Sequence, residues 1–526
     1  MLGKPQILWQ LEKKCTKHDG SAALMVQPVQ DRNSYVPSLP FCHGSDTGRR
    51  SHPALAGVAL AMTLGACAAT DTGPINTLSP VPTRESTHFM NDFGDDGALV
   101  VGVSFSGGGT RAAAFAYGVL RELDAAVIDE VPRERSVTDS IHMVSGTSGG
   151  AVAAAYFGMR GPDDFHDFRE RFLVQDVEAS MRTSVASPAN LLRAWSGGVN
   201  DRGSLADWLD SNLFEGATFS AFDYPDAPTV WLTASDIFNG VPFIFTHDTF
   251  AALCSDLNQL RIADAVAASA AVPVVFAPLD VSADSPDCGY RRPAWLERAL
   301  ADREAPVRLN AHARALDSYR RDDRLATVRL LDGGLTDNIG VTGFALERAS
   351  ADTPYGPLTA QQAVRLQRLL FIITDAGRET QAEWGNRAQR PRLSEVIQAV
   401  SHTTIGSSVR KGADALNMAA QQWQDDIIRF RCSLSDAQVT RYRGSLRGWN
   451  CRDVRILVEI LSFRDFDIES QDALNRVPTR LTLPEAQVDL VIEAGRRAVR
   501  ENASIIETIT AIRRHAGVRH AAWPAR

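Results

Sequence analysis

Lysine is nearly absent from this chain. Only Lys4, Lys13, Lys14, Lys17 and Lys411 occur, four of them in the first 17 residues, so arginine carries almost all other positive charge. Positive charge is also outnumbered: 55 lysines and arginines face 63 aspartates and glutamates, a net charge of -8. Such a balance argues against a partner held through its phosphate backbone, so no nucleic acid is expected as a ligand. No apolar run approaches the ~20 residues of a membrane-spanning helix. The longest mild one, Ala54 to Ala66, has the length of a signal-peptide core instead. Cysteine is sparse, seven in all, and no spacing among them suits zinc, so neither metal nor cofactor is expected. What is present, 44% hydrophobic and 22% charged residues over 526 positions, can bury a full globular core in one large domain or two smaller ones.

The N-terminal region differs from the rest. Residues 1 to about 47 hold four of the five lysines plus Cys15 and Cys42, and show no sustained periodicity. Two readings stay open: an upstream extension from a misassigned start, or a disordered tail. Arg49-Arg50 then precede the apolar stretch from Pro53 to Thr63, which runs into Leu64-Gly65-Ala66-Cys67. A basic region, an apolar core and small residues before a cysteine form a leader. Its last four residues resemble the lipobox of bacterial lipoproteins, in which the cysteine is acylated and becomes the new N-terminus. The other reading is a buried apolar helix with an incidental cysteine. Residues 68 to about 87 are rich in Ala, Thr, Pro and Ser, as a tether would be. Ala68 stands where an inner-membrane retention signal has aspartate, so the expected location is the cell envelope, at the periplasmic face of the outer membrane. An exported chain fits the cysteine count. Beyond Cys67, four remain, and the near-neighbour pairings Cys254 with Cys288 and Cys432 with Cys451 are expected as disulfides. Crossed pairing and free thiols remain open.

Two glycine-rich turns dominate the middle of the chain. Ala98 to Phe105 reads as a buried strand and Arg111 to Leu123 as a helix, with Ser106-Gly107-Gly108-Gly109-Thr110 between them. A strand, a glycine turn and a helix make an anion cradle. A dinucleotide pyrophosphate could fill it, although Ala112 stands where the third glycine of G-x-G-x-x-G would fall. The oxyanion of an acyl-transfer intermediate could equally fill it. The second turn discriminates. Ser140 to Val144 reads as a strand and Ala151 to Gly158 as a helix, with Gly146-Thr147-Ser148-Gly149-Gly150 between them. This is G-x-S-x-G in the strand–turn–helix setting of a nucleophile elbow. The helix N-terminus there favours negative charge near Ser148.

A serine nucleophile needs a base. The histidines after Ser148 are His166, His247, His312, His402, His515 and His520, and none sits in a glycine-rich turn at a strand end. A carboxylate does. Thr327 to Leu331 reads as a strand, followed by Asp332-Gly333-Gly334. Taken alone, Asp332 would be read as a turn-capping residue.

Together the three turns resemble the patatin-like phospholipase family, which shares its core with cytosolic phospholipase A2. The family's oxyanion motif matches Gly107-Gly108-Gly109-Thr110-Arg111, its nucleophile motif matches Gly146 to Gly150, and its aspartate motif matches Asp332-Gly333-Gly334. A further block, Ala267 to Pro278, resembles a family segment that packs near the site. The resemblance covers roughly Asp96 to Ala376. Ala112 departs from the glycine of many patatins and looks more like the phospholipase A2 branch. The resemblance implies an α/β three-layer sandwich with a central, mostly parallel sheet. It implies a Ser148–Asp332 dyad without histidine, an oxyanion hole from the amides of Gly108, Gly109 and Gly149, and Arg111 either orienting that loop or meeting a lipid phosphate. The implied substrate is a phospholipid or other lipid ester taken from a membrane surface.

The domain reading follows: 1–66 extension and signal, 67–95 tether, 96–380 catalytic domain, and 381–526 an extension that completes or caps it. Leu205, Trp208, Leu209 and Leu213 fall at helical spacing, as a core face or a lipid-facing lid. Residues 280–325 are expected to form a helical insertion near the site mouth, 391–429 one or two helices, 454–463 a strand, and 484–515 a helical pair. The competing functions are a lipid acyl hydrolase, a catalytically silent lipoprotein that binds lipid or a protein partner in the same cleft, and an esterase with a conventional histidine.

Overall fold

The structure, a computed structural model, describes residues 73–79, 96–131, 133–181, 198–200, 203–283, 288–321, 325–377, 393–518 and 523. Backbone contacts divide the chain into Met1–Cys67 and Ala68–Arg526, and every described residue belongs to the second unit. The leader and Cys67 lie outside the described residues, as does most of the expected tether.

Among the described residues the main sheet has eight strands. In chain order they are β1 (Leu99–Phe105), β2 (Ile141–Thr147), β3 (Thr229–Asp236), β4 (Val241–Ile244), β5 (Leu279–Ser282), β6 (Thr327–Asp332), β7 (Arg368–Asp375) and β8 (Arg455–Ser462). Their spatial order is β8-β7-β1-β2-β3-β6-β5, with β4 paired to β3. From β8 to β3 all neighbours are parallel, while β6, β5 and β4 join antiparallel. The mostly parallel α/β expectation therefore holds, and the sequence shows why. All seven residues of β1 (LVVGVSF) are buried, and so are all seven of β2. Parallel strands covered on both faces read as continuous runs of this kind. By contrast β6 (TVRLLD) alternates between buried and open positions, as suits an antiparallel strand near the sheet margin.

The helices used below are α1 (Gly109–Asp124), α2 (Gly149–Asp164), α3 (His247–Ala252), α4 (Ile262–Ser269), α5 (Ala294–Ala301), α6 (Val307–Arg321), α7 (Gly334–Asp337), α8 (Thr342–Ser350), α9 (Leu393–Cys432), α10 (Glu485–Glu501) and α11 (Ala503–Ala516). Helix α1 is buried nearly all round, not on one face as its pattern predicts. The reason is α10, which covers its outer side. A side chain at Gly118 would run into the Ile492 carbonyl, and one at Gly495 into the Phe115 carbonyl. Only small residues let two backbones approach so closely. Helix α2 runs past its expected end, kinking at Gly161 before Pro162.

The remaining segments sort clearly. Leu205, Leu209 and Leu213 are buried, so that face belongs to the core. Of residues 391–429, those described, 393–429, lie in the single helix α9, and 484–515 form the pair α10 and α11. Strand β8 extends the same sheet beyond β7. The insertion at 280–325 holds α5 and α6, and Tyr319 of α6 donates to Asp236 at the end of β3 (2.8 Å). Disulfides join Cys254 to Cys288 and Cys432 to Cys451, the near-neighbour pairing.

Candidate active site

Strand β2 ends at Thr147 and α2 begins at Gly149. Between them Ser148 has φ 54° and ψ −122°, a region a residue with a Cβ enters only under constraint. The constraint comes from the neighbouring loop. A Cβ on Gly149 would overlap the carbonyl group of Gly109, so glycine is required there by contact alone. Gly109 has φ 64° and lies against the backbone of Arg480, whose carbonyl also accepts from the Thr110 amide (2.9 Å). The glycine loop is thus held between the serine turn and the segment leading to α10.

Gly109 and Gly149 are the first residues of α1 and α2, with Gly108 just before. The first amides of a helix have no partner within it. Among the described residues, none of the three amides donates to an acceptor. Two helix N-termini therefore present unused donors and partial positive charge close to one serine hydroxyl.

That hydroxyl donates to Asp332: Ser148 Oγ lies 2.8 Å from Oδ2. The other carboxylate oxygen, Oδ1, accepts from the Gly334 amide at 2.7 Å. Asp332 ends β6 and is buried. Burial pushes its pKa up to about 6, with the Gly334 amide and the Ser148 hydroxyl pulling the other way. Its backbone is fixed as firmly as its side chain. Its amide donates to Ala271 (2.9 Å), the Gly333 amide to Ser269 (3.0 Å), and Ser235 Oγ donates to its carbonyl (2.8 Å).

Two residues not singled out from the sequence complete this frame. Ser269 Oγ accepts from the Ser148 amide (2.8 Å) and donates to the Thr233 carbonyl (2.6 Å), tying the serine turn to β3. It lies in the Ala267–Pro278 block. The carbonyl of Asn338 accepts from the Gly107 amide (3.0 Å), and its side-chain oxygen fills the space that a Cβ on Gly107 or Gly334 would need. The segment carrying Asn338 is pinned by Ser104, Ser145 and Thr147, whose hydroxyls donate to the carbonyls of Ile339, Gly340 and Asp337. A signal for this was present: hydroxyl residues inside otherwise apolar strands need buried acceptors.

Arg111 lies inside the fold. Its Nε donates to the Ala376 carbonyl (3.1 Å) and Nη1 to the Val477 carbonyl (2.8 Å), and the residue is only 2% exposed. Of its two expected roles, this placement fits holding the loop against the C-terminal segment; a guanidinium so enclosed is not placed to meet a lipid phosphate. Among the described residues no histidine hydrogen-bonds to Ser148 or Asp332. His166 stands by Asp124, His515 by Asp96, and His312 stacks on Trp295. The His402 side chain and His520 lie outside the described residues.

Residues 103–345, somewhat under half of the chain, match the family model described as Patatin-like phospholipase, and they hold much of the mostly parallel α/β sheet described above. No curated protein sequence matches the chain. Solved structures do. Human GIVD cytosolic phospholipase A2 is similar at 14% identity, covering 81% of this chain and 61% of that one, with a TM-score of 0.37. VipD from Legionella pneumophila is similar at 12% identity, covering 85% and 73%, TM-score 0.28. The ExoU–SpcU complex of Pseudomonas aeruginosa is similar at 15% identity, covering 82% and 83%, TM-score 0.21. The chain thus spans less than two thirds of the human enzyme's length.

Proposed function

We propose that the protein hydrolyses acyl esters of phospholipids or related lipids with a Ser148–Asp332 dyad. The observation that carries this reading is the 2.8 Å hydrogen bond from Ser148 Oγ, in a strained elbow, to a buried carboxylate. Asp332 Oδ2 takes the hydroxyl proton as Oγ attacks the ester carbonyl. The amides of Gly108, Gly109 and Gly149 stabilise the oxyanion, Asp332 returns the proton to the leaving alcohol, and water attacks the acyl-serine in a second, equivalent round. Arg111 positions the glycine loop. No step calls on a metal or cofactor. The direct test is fatty-acid release from phospholipid vesicles and p-nitrophenyl esters by wild type and Ser148→Ala; equal background release by both ends the proposal.

The pKa of Asp332 gives this scheme a pH signature. The base is the ionised form, and burial raises the pKa to about 6. Activity on a soluble ester is expected to rise with pH, reach half its plateau near the cited value, and flatten above it. A carboxylate at the ordinary 3.8 would leave the rate flat through that interval. A profile with no acid limb there would contradict the assignment of the base.

Contact with a membrane surface is part of the same proposal. Ala234 pairs with Asp332, and three residues further on the turn from β3 to β4 presents Ile237 and Phe238, 46% and 55% exposed. The turn is built by buried Asp236, whose Oδ1 accepts from the amides of Phe238 (2.8 Å) and Asn239 (3.1 Å). An apolar pair held outward at the site's margin suits insertion among lipids. Phe238→Ser is expected to lower turnover of vesicle lipid several-fold while leaving a soluble ester unaffected; equal loss on both substrates would refute the contact. Anchoring through acylated Cys67 at the periplasmic face of the outer membrane is likewise proposed, on the leader's sequence. Labelled palmitate should be absent from Cys67→Ala, and its retention would defeat the lipobox reading.

A further inference from the structure

Ser148 lies at the C-terminal ends of the parallel strands. Toward their other end, about 13 Å back along β3 from Thr233 to Thr229, a cavity of about 450 Å³ opens between the end of the sheet and α3, α5, α6 and α8. Neither Ser148 nor Asp332 lines it. Its size falls in the range of small-molecule sites, roughly 300–1,000 Å³.

The lining has an unusual charge balance. Asp223, Asp248 of α3 and Glu347 of α8 line the cavity together with His247 and His312, and no lysine or arginine does. The Glu347 carboxylate has no hydrogen-bond or ion-pair partner among the described residues, and the negative field of Asp248 acts on it. Burial pushes its pKa up to about 7. Asp248 accepts one hydrogen bond, from Trp295 Nε1 at 2.7 Å, and burial raises its pKa while that indole N–H and the neighbouring His247 pull the other way. His312 does not offset them: burial pushes its pKa down to about 4, so the ring is neutral at neutral pH. The lining thus carries three carboxyl groups, Asp223, Asp248 and Glu347, two of them half-buried side by side in one cavity, against His247 alone acting as a positive neighbour of Asp248, so the cavity has a negative field that a bound cation would offset. Around them stand the aromatic rings of Tyr224, Trp231 and Trp295. Aromatic faces attract organic cations and stabilise them once water is displaced.

We infer that this cavity is a second ligand site, separate from the serine site, that takes a small organic cation bearing an ammonium group. Glu347 is the counter-ion, Asp248 the second anionic wall, and the rings of Tyr224, Trp231 and Trp295 enclose the alkyl substituents. Trp295 fixes the Asp248 carboxylate through its indole N–H, so that the free oxygen faces the ligand's charge. A quaternary ammonium would be held through charge and aromatic contact; a primary ammonium would in addition donate to Glu347. This site does not depend on the hydrolase reading, because it contains none of that chemistry.

The test is calorimetric titration of the full-length chain with choline, with 1,4-diaminobutane, and with 3,3-dimethylbutanol, the uncharged isostere of choline. Saturable binding of at least one ammonium compound is expected, with the alcohol at least about tenfold weaker. Preference for choline over the diamine identifies a quaternary head group, and the reverse a primary one. Glu347→Gln and Asp248→Asn, checked for an unchanged circular-dichroism spectrum and melting transition, are each expected to weaken binding about tenfold or more. Ester hydrolysis by both variants should match wild type, since both lie at the far end of the sheet from Ser148. The inference is overturned if neither ammonium compound binds saturably, if the neutral alcohol binds as tightly, or if both folded variants bind like wild type.

Discussion

Asp332→Asn should abolish ester hydrolysis and, at neutral pH, make the protein more stable. Ser148→Ala should abolish hydrolysis too. Loss of a nucleophile or its base in a concerted unit typically costs on the order of 10⁴-fold or more in turnover. The stability effect follows from the sign of the pKa shift. The folded-state pKa of Asp332 is about 6 against an ordinary 3.8, a raised value. Its contribution to stability is thus fully present below 3.8 and is lost as pH rises to about 6. At neutral pH the folded protein holds a buried carboxylate that would be better solvated in the unfolded chain. Asparagine removes that penalty, at most about 3 kcal/mol for a shift of this size. Thermal melts at acid and neutral pH, beside fatty-acid release, test both halves. An Asp332→Asn protein that stays active while a histidine substitution is lethal would transfer the base to that histidine. Equal background release by wild type and both variants would leave the lipid- or partner-binding reading in its place.

Gly149→Ala is expected to be the most damaging single-methyl change at the site. The added Cβ would occupy the position of the Gly109 carbonyl group, and both residues open helices rooted in the sheet, so neither backbone can yield freely. Forced overpacking of this kind costs about 1–3 kcal/mol. Displacing the Gly149 amide should also lower turnover about 10²–10³-fold, the usual effect of losing one oxyanion donor. Gly406→Ala is the control. That glycine lies inside helix α9 and an added Cβ meets nothing nearer than Arg410 Nη1 at 3.4 Å. Alanine there should be neutral or stabilise by up to about 1 kcal/mol. Melting and turnover measured on both proteins separate the cases; equal behaviour would show that the loop contact is soft.

Much of the site was readable from the linear chain because its parts are local. A nucleophile elbow needs glycines within two residues of its serine, and an aspartate turn needs glycines directly after it. Gly146 to Gly150 and Asp332 to Gly334 carry those requirements in sequence. The buried parallel strands were likewise readable, because β1 (LVVGVSF) is a nearly continuous apolar run and β2 (IHMVSGT) opens on Ile141, Met143 and Val144.

What the sequence could not reveal depends on long-range approach. Ser269 lies in the Ala267–Pro278 block, but nothing local singles out its hydroxyl, and nothing local marks the carbonyl and side-chain oxygen through which Asn338 acts. Arg111 could have faced a lipid or the protein; only the arrival of Val477 and Ala376 beside it decided for the interior. The burial of α1 nearly all round depends on α10, more than 350 residues later, whose Gly495 packs against Gly118 (495 minus 118 is 377). The pairing of Asp248 with Glu347 around one cavity joins residues 99 apart (347 minus 248) on helices that no periodicity connects. The sequence by itself determined which residues could react, because glycine and hydroxyl chemistry are written at adjacent positions. The tertiary structure alone decided which of them meet, because burial and contact depend on how distant segments close around them.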